Sequence, residues 1–213
     1  MDIVQNLDAA NLSCRSAPQF PLICGTNLPA MHRSFVRLLF IVFALAAFTV
    51  TAVAKDPNAA KPVKKVTVTL KDAKGNSVGS ATIKSSGKGV EVKLDVKDLP
   101  PGDHALHFHQ NAKCEAPDFK SAGPHFNPDN KQHGFLNPAG HHNGDMANFT
   151  VKPNGTSKAI IKNADVVLGT GNEANSLFAN GGTALMIHAK PDDMKTDPAG
   201  NAGDRIACGT ITK

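Results

Sequence analysis

A chain of 213 residues suits one ordinary domain preceded by a targeting region and is short for two domains. Hydrophobic residues make up 41% and charged residues 19%, with 18 Gly, 14 Pro and neither Trp nor Tyr, which favours a loop-rich β protein over a helical bundle. Lys and Arg exceed Asp and Glu by 23 to 18, but the surplus is scattered, without a basic run or interleaved aromatics, and this argues against a nucleic-acid partner.

Residues 1–30 are rich in Asn, Pro and Ser and carry no periodic pattern, so they read as an extension ahead of the true start at Met31. From Met31 the chain has a basic stretch ending at Arg37 and an apolar run from Leu38 to Val50, the layout of a secretory signal. Ala52 and Ala54 supply the small residues read at cleavage, so residues 31–54 are expected to be a signal peptide removed before Lys55. The competing reading is a retained membrane anchor, because Leu38 to Ala54 spans 17 residues, the short end of what crosses hydrocarbon. Cleavage is preferred, with an exported, periplasmic product and no stable membrane insertion. Cys14 and Cys24 then have no part in the mature protein, and Cys114 and Cys208 remain as an even pair in an oxidising compartment, which reads as one disulfide.

Residues 55–63 form a linker containing Pro and Ala, and a single domain is expected over 64–213. Within it the hydrophobic period becomes two: Val66, Val68 and Leu70 alternate with polar residues, a second run covers Val78 to Lys84, and Val90 to Val96 repeats the pattern. Gly-containing turn signals separate the runs, which predicts an antiparallel meander with one wet face. A strand near Ala105 to His109 precedes about 35 residues dense in Gly, Pro, Asn, Asp and His, a length that marks a functional loop. Further strands are expected at Ala147 to Val151, Thr156 to Ile161, Thr183 to His188 and Ile206 to Thr212. About eight strands joined by long crossovers make an all-β Greek-key sandwich or barrel.

Seven of the nine histidines fall between His104 and His142. His107 and His109 leave the same face of a strand and can reach one metal ion, although an isolated pair of this kind is as often a surface feature. His125, His133, His142 and Asp145 follow along the loop, three imidazoles and a carboxylate suited to tetrahedral zinc with no open position. Without a metal, so glycine-rich a loop would struggle to offset its ordering entropy. His188, ending the apolar run Leu185-Met186-Ile187, taken alone reads as a core histidine.

Five pieces of sequence together resemble the copper/zinc superoxide dismutase family over residues 64–213: His107-Phe108-His109, the run from Ala122 to Pro128, Gly144-Asp145 after His142, the run from Ile187 to Asp193, and the run from Gly200 to Gly209. The resemblance implies an eight-stranded Greek-key sandwich or barrel with long metal-binding and electrostatic loops. It implies copper on His107, His109, His125 and His188, zinc on His125, His133, His142 and Asp145, and a shared His125 between them. It further implies a Cys114 to Cys208 disulfide, Asp192 linking His107 to His133, and Lys195, Thr196 and Arg205 at the mouth of the copper site. The activity implied is dismutation of superoxide to oxygen and hydrogen peroxide by redox-cycling copper bridged to structural zinc, with His125 passing a proton and Arg205 attracting the anion.

Departures from the family are the Ala105-Leu106 pair before the first two histidines, expected to alter packing slightly and leave ligation intact, and a longer Cys114 to His125 loop of bacterial appearance. His104 matches a non-ligand histidine, and His141 matches nothing and is expected to be solvated. The alternative function is a non-catalytic periplasmic copper or zinc store, which a missing ligand or missing arginine would favour; none is missing. A homodimer is left open.

Overall fold

The computed structural model describes residues 61–213, so the expected extension, the signal peptide, most of the linker, Cys14 and Cys24 lie outside the described residues. Nine strands follow in chain order: β1 (Lys65–Asp72), β2 (Ser77–Ser86), β3 (Gly89–Val96), β4 (Gly102–His104), β5 (Leu106–His109), β6 (Phe149–Val151), β7 (Ser157–Asn163), β8 (Thr183–His188) and β9 (Arg205–Ile211). Two short 3-10 turns, at Lys120–Ala122 and Ala179–Gly181, are the only helical segments among the described residues. None of these is long and apolar enough to cross a membrane.

One sheet runs in the order β5-β8-β9-β1-β2-β3-β7, and β4 pairs with β6 in a second, two-stranded sheet. All the strand pairs are antiparallel. The neighbours β3–β7, β5–β8 and β1–β9 are distant in sequence, which is the Greek-key signature. β4 and β5 are one strand interrupted at Ala105, whose amide donates to Lys190 O while its carbonyl accepts from His188 N. At that residue the strand changes partner from β6 to β8, so the expected eight strands appear as nine segments. The result is a curled half-barrel.

The meander follows the alternation in its sequence. Val68 pairs with Ala81, which pairs with Leu94, and Ile83 pairs with Val92, which pairs with Ile161, so each row points one way. All six are buried in the main core, while Lys65, Thr67, Lys84, Lys93 and Lys158 occupy the solvated face. A bulge between Leu70 and Lys71 lies opposite Gly79, whose φ of 130° and close approach to the Asp95 carbonyl leave no room for a Cβ.

Alternation also divides β5 and β8, and this division positions the site. Leu106, Phe108, Leu185 and Ile187 join the main core. Their neighbours His107, His109, Met186 and His188 point to the opposite face, yet are equally buried. The cover is the long loop after β5. It is laced to β5 by main-chain bonds from Phe108 N to Gly144 O, Phe126 N to Phe108 O and Gln110 N to Pro124 O. A second small cluster of Phe119, Ala122, Ala184, Met186 and Cys208 fills the space beneath it.

Candidate metal centre

Four imidazoles converge between the outer face of β5 and β8 and the covering loop. One nitrogen from each of His107, His109, His125 and His188 falls within 4.8 Å of all the others. Each outward nitrogen is selected by what the other nitrogen does. His109 Nδ1 donates to Gly123 O at 2.9 Å and His188 Nδ1 to Gly203 O at 3.2 Å, which leaves the two Nε2 lone pairs facing one another at 3.4 Å. His107 Nε2 donates to Asp192 Oδ2 at 2.8 Å, leaving Nδ1 as the free atom. The buried atoms His107 Nδ1 and His125 Nε2 have no hydrogen-bond partner at all. Buried polar atoms left unpaired are costly, and two aimed into one group of imidazoles fit a metal ion.

The second set surrounds a carboxylate. Asp145 Oδ1 stands 2.9 Å from His125 Nδ1, 3.0 Å from His133 Nδ1 and 3.4 Å from His142 Nδ1. Its other oxygen accepts from Gly134 N and His142 N, which fixes the plane of the carboxylate. Three nitrogens and one oxygen at these separations fit the edges of a tetrahedral zinc site. His125 belongs to both sets through opposite ring atoms. Asp192 connects them from behind, with Oδ2 on His107 and Oδ1 on His133 Nε2 at 2.9 Å. The loop carrying Asp192 folds back over it at Gly200, where φ is +62° and a Cβ would overlap the Asp192 carboxylate.

In the metal-free protein these surroundings separate the histidines. Burial and the neighbouring His107 push His125 down to about 3, and burial brings His188 down to about 4. Burial opposes charge on His133 too, but its hydrogen bonds to Asp145 and Asp192 prevail and raise it to about 9. An unfolded histidine titrates near 6.5. His133 therefore contributes stability that is full below about 6.5 and lost as pH rises through 9. His125 and His188 lose stability in the other direction, as pH falls from 6.5 towards 4 and the unfolded chain takes up protons first. The metal-free protein should accordingly melt highest near pH 6.5 and lower on either side in calorimetry from pH 4 to 9. A midpoint that climbs steadily across that range contradicts this account.

Cys114 and Cys208 form a disulfide with Cα atoms 5.7 Å apart, tying the covering loop to β9. Arg205, at the start of β9, donates Nη1 to Phe119 O at 2.7 Å and Nη2 to Gly123 O at 2.8 Å, both in the same loop. It forms no ion pair within 4 Å among the described residues, and it lines a cavity of about 720 Å³. That cavity also exposes His109, His125, His142 and His188, so it leads to the imidazole cluster.

Lys195 and Thr196, expected at the mouth of the site, are not among the residues that line this cavity. The Asp193 carboxylate gathers Lys195 N, Thr196 N and Oγ1, and Asn201 Nδ2 into a tight turn. Asp197, Pro198 and Ala199 form part of its wall, as do Asn127, Asn130 and Lys131. Asp197 is the residue that sequence reasoning missed; the Asp-Pro turn signal was its only trace. His141 is also less solvated than expected, since Nε2 contacts Asp165 Oδ2 at 3.0 Å and its ring packs on Phe135. His104 spans Pro100 O and His188 O with its two nitrogens, so it is committed to the main chain and is no ligand.

The family model described as copper/zinc superoxide dismutase (SODC) matches residues 77–211. A superoxide dismutase [Cu-Zn] of Aquifex aeolicus is 50% identical over 139 residues, covering 65% of this chain and 82% of that one. The superoxide dismutase-like protein YojM of Bacillus subtilis is 36% identical, covering 85% of this chain and 96% of its own. Among solved structures, a SOD-like protein from Bacillus subtilis superposes with a TM-score of 0.65 at 39% identity, covering 68% of this chain and 97% of that one. The Cu/Zn superoxide dismutase of Brucella abortus does so with a TM-score of 0.57 at 26% identity, covering 70% and 99%.

Proposed function

Since the chain belongs to the copper/zinc superoxide dismutase family, whose cofactors are copper and zinc, we propose that its dismutation of superoxide runs at the paired sites joined by His125. The observation that carries this reading is the pair of orphaned buried nitrogens, His107 Nδ1 and His125 Nε2. His107, His109, His125 and His188 would hold copper, which would supply the one-electron couple the reaction needs, and His125, His133, His142 and Asp145 would hold a structural zinc.

The remaining work falls to the chain. Asp192 accepts the Nε2 protons of His107 and His133, which holds both rings with Nδ1 directed inward. Carbonyls of Gly123 and Gly203 do the same for His109 and His188 with Nε2 as the inward atom. His125 lines the cavity, so its ring is placed to pass a proton to the departing peroxide. Two superoxide anions and two protons yield one oxygen and one hydrogen peroxide. Arg205 offers the substrate a cation whose position is set by two carbonyls rather than by a neutralising carboxylate. Arg205→Ala should reduce kcat/KM about tenfold while both metals stay bound; loss of metal from that variant would move Arg205 from attracting the anion to maintaining the site.

We also assign the protein to an exported compartment, with residues 31–54 as the signal. The sequence pattern and a disulfide suited to oxidising surroundings support this. The deciding experiment is superoxide consumption by the copper- and zinc-loaded protein, with and without cyanide. Cyanide-sensitive consumption far above that of free copper is expected. No activity with both metals bound would overturn the reading in favour of metal storage.

A further inference from the structure

We propose that Asp197 is a positioning residue with two opposed effects: its carboxylate pins the segment bearing His133, and its charge retards the approach of the anionic substrate. The inference rests on the reading that superoxide reaches the four-imidazole cluster through the cavity beside Arg205.

The pin is visible in the main chain. His133 N donates to Asp197 Oδ1 at 2.6 Å, joining loops 64 residues apart in sequence. The His133 ring is already fixed by Asp145 and Asp192, so Asp197 supplies the missing restraint on its backbone. A residue held at both ring nitrogens and at its amide has little freedom to leave the zinc set.

The charge is visible in the cavity. Asp197 is about half exposed, with a side-chain accessibility of 47%, and it forms the wall together with Pro198 and Ala199. Its Oδ1 stands 3.9 Å from His142 Nε2, too far for a hydrogen bond. Besides the histidines, the charged residues lining the cavity are Lys131, Arg205 and Asp197, so one carboxylate opposes two cations. The lysine expected on this loop, Lys195, is absent from the wall, and the loop's charged contribution there is negative. The acid that anchors the loop is thus also the one group in the cavity lining that repels superoxide.

Two substitutions in the full, metal-loaded chain separate these effects. Asp197→Asn keeps an oxygen acceptor for His133 N and removes the charge. It should raise kcat/KM about two- to threefold at low ionic strength, the effect of one unit charge roughly 10 Å from the path of the anion in water. The advantage should vanish near 1 M salt, where the Debye length is about 3 Å. Azide, an anion that reports on the site through the copper absorption band, should bind more tightly by the same factor. Asp197→Ala removes the acceptor as well, and should release zinc to a chelator about tenfold faster, while the Asn variant releases it at the wild-type rate.

Unchanged rate, azide affinity and salt dependence in the Asn variant overturn the electrostatic half. Wild-type zinc release from the Ala variant overturns the pin. If the wild-type protein itself consumes no superoxide, the functional reading fails, and azide affinity and zinc release still decide the role of Asp197.

Discussion

Asp145→Ala should lose zinc and destabilise the metal-free protein by about 3–5 kcal/mol, the cost of breaking a buried charged network from one side. Asp145 is only 1% exposed, and its two oxygens serve five groups: the rings of His125, His133 and His142 and the amides of Gly134 and His142. Burial works against its charge, but those hydrogen bonds prevail and hold its carboxyl far below the usual carboxylate range. Removing it leaves His133 with one carboxylate instead of two and strands two main-chain amides. At about 2–4 °C per kcal/mol for a domain of this size, the melting point should fall by about 6–20 °C before metal is considered. Metal analysis and calorimetry on the same preparation check both parts. A variant that retains one zinc per chain would show that the three histidines suffice.

Reduction of the Cys114 to Cys208 bond is expected to have the next largest effect. The bond closes a loop of 94 residues, for which the chain-entropy model gives about 4.7 kcal/mol. The consequence is chemical as well as energetic. Phe119 and Gly123, whose carbonyls orient Arg205, lie between Cys114 and His125, so the bond and the guanidinium restrain the same stretch of chain. Cys208→Ser should therefore lower the melting point by about 10–20 °C, speed zinc release and reduce the rate together. Full activity in the reduced protein, with an unchanged melting point, would show that Arg205 and the small cluster under the loop hold the site unaided.

The strands were legible wherever one face is wet. Val66 to Leu70 and Val90 to Val96 alternate because solvent and core impose opposite demands on successive residues, and both observed strands extend the expected ones by only a residue or two at an end. β5 and β8 are harder to read because both of their faces are buried, one by the core and one by the covering loop. The change of partner at Ala105 had no local signal, since it depends on Lys190 and His188 arriving from far along the chain. The histidines could be grouped from their spacing and the family resemblance, and the structure brings both groups together. The cavity wall could not be placed in this way. Lys195 and Thr196 carry the expected chemistry, but their amides are taken up in the turn built around Asp193, which depends on contacts the local sequence does not announce.

The ladder between β1 and β9 consists of two residue pairs, Lys71 with Cys208 and Asp72 with Ala207, whereas β1 and β2 are matched along nearly their whole length. The half-barrel has a natural line of tearing there, and the covalent bond at Cys208 sits on it. Parting along that line would expose two unpaired strand edges, the kind of template on which separate chains pair and aggregate. On this view the disulfide also protects solubility: a reduced population should accumulate intermolecular β structure that begins at β1 and β9, even while the meander behind them stays folded.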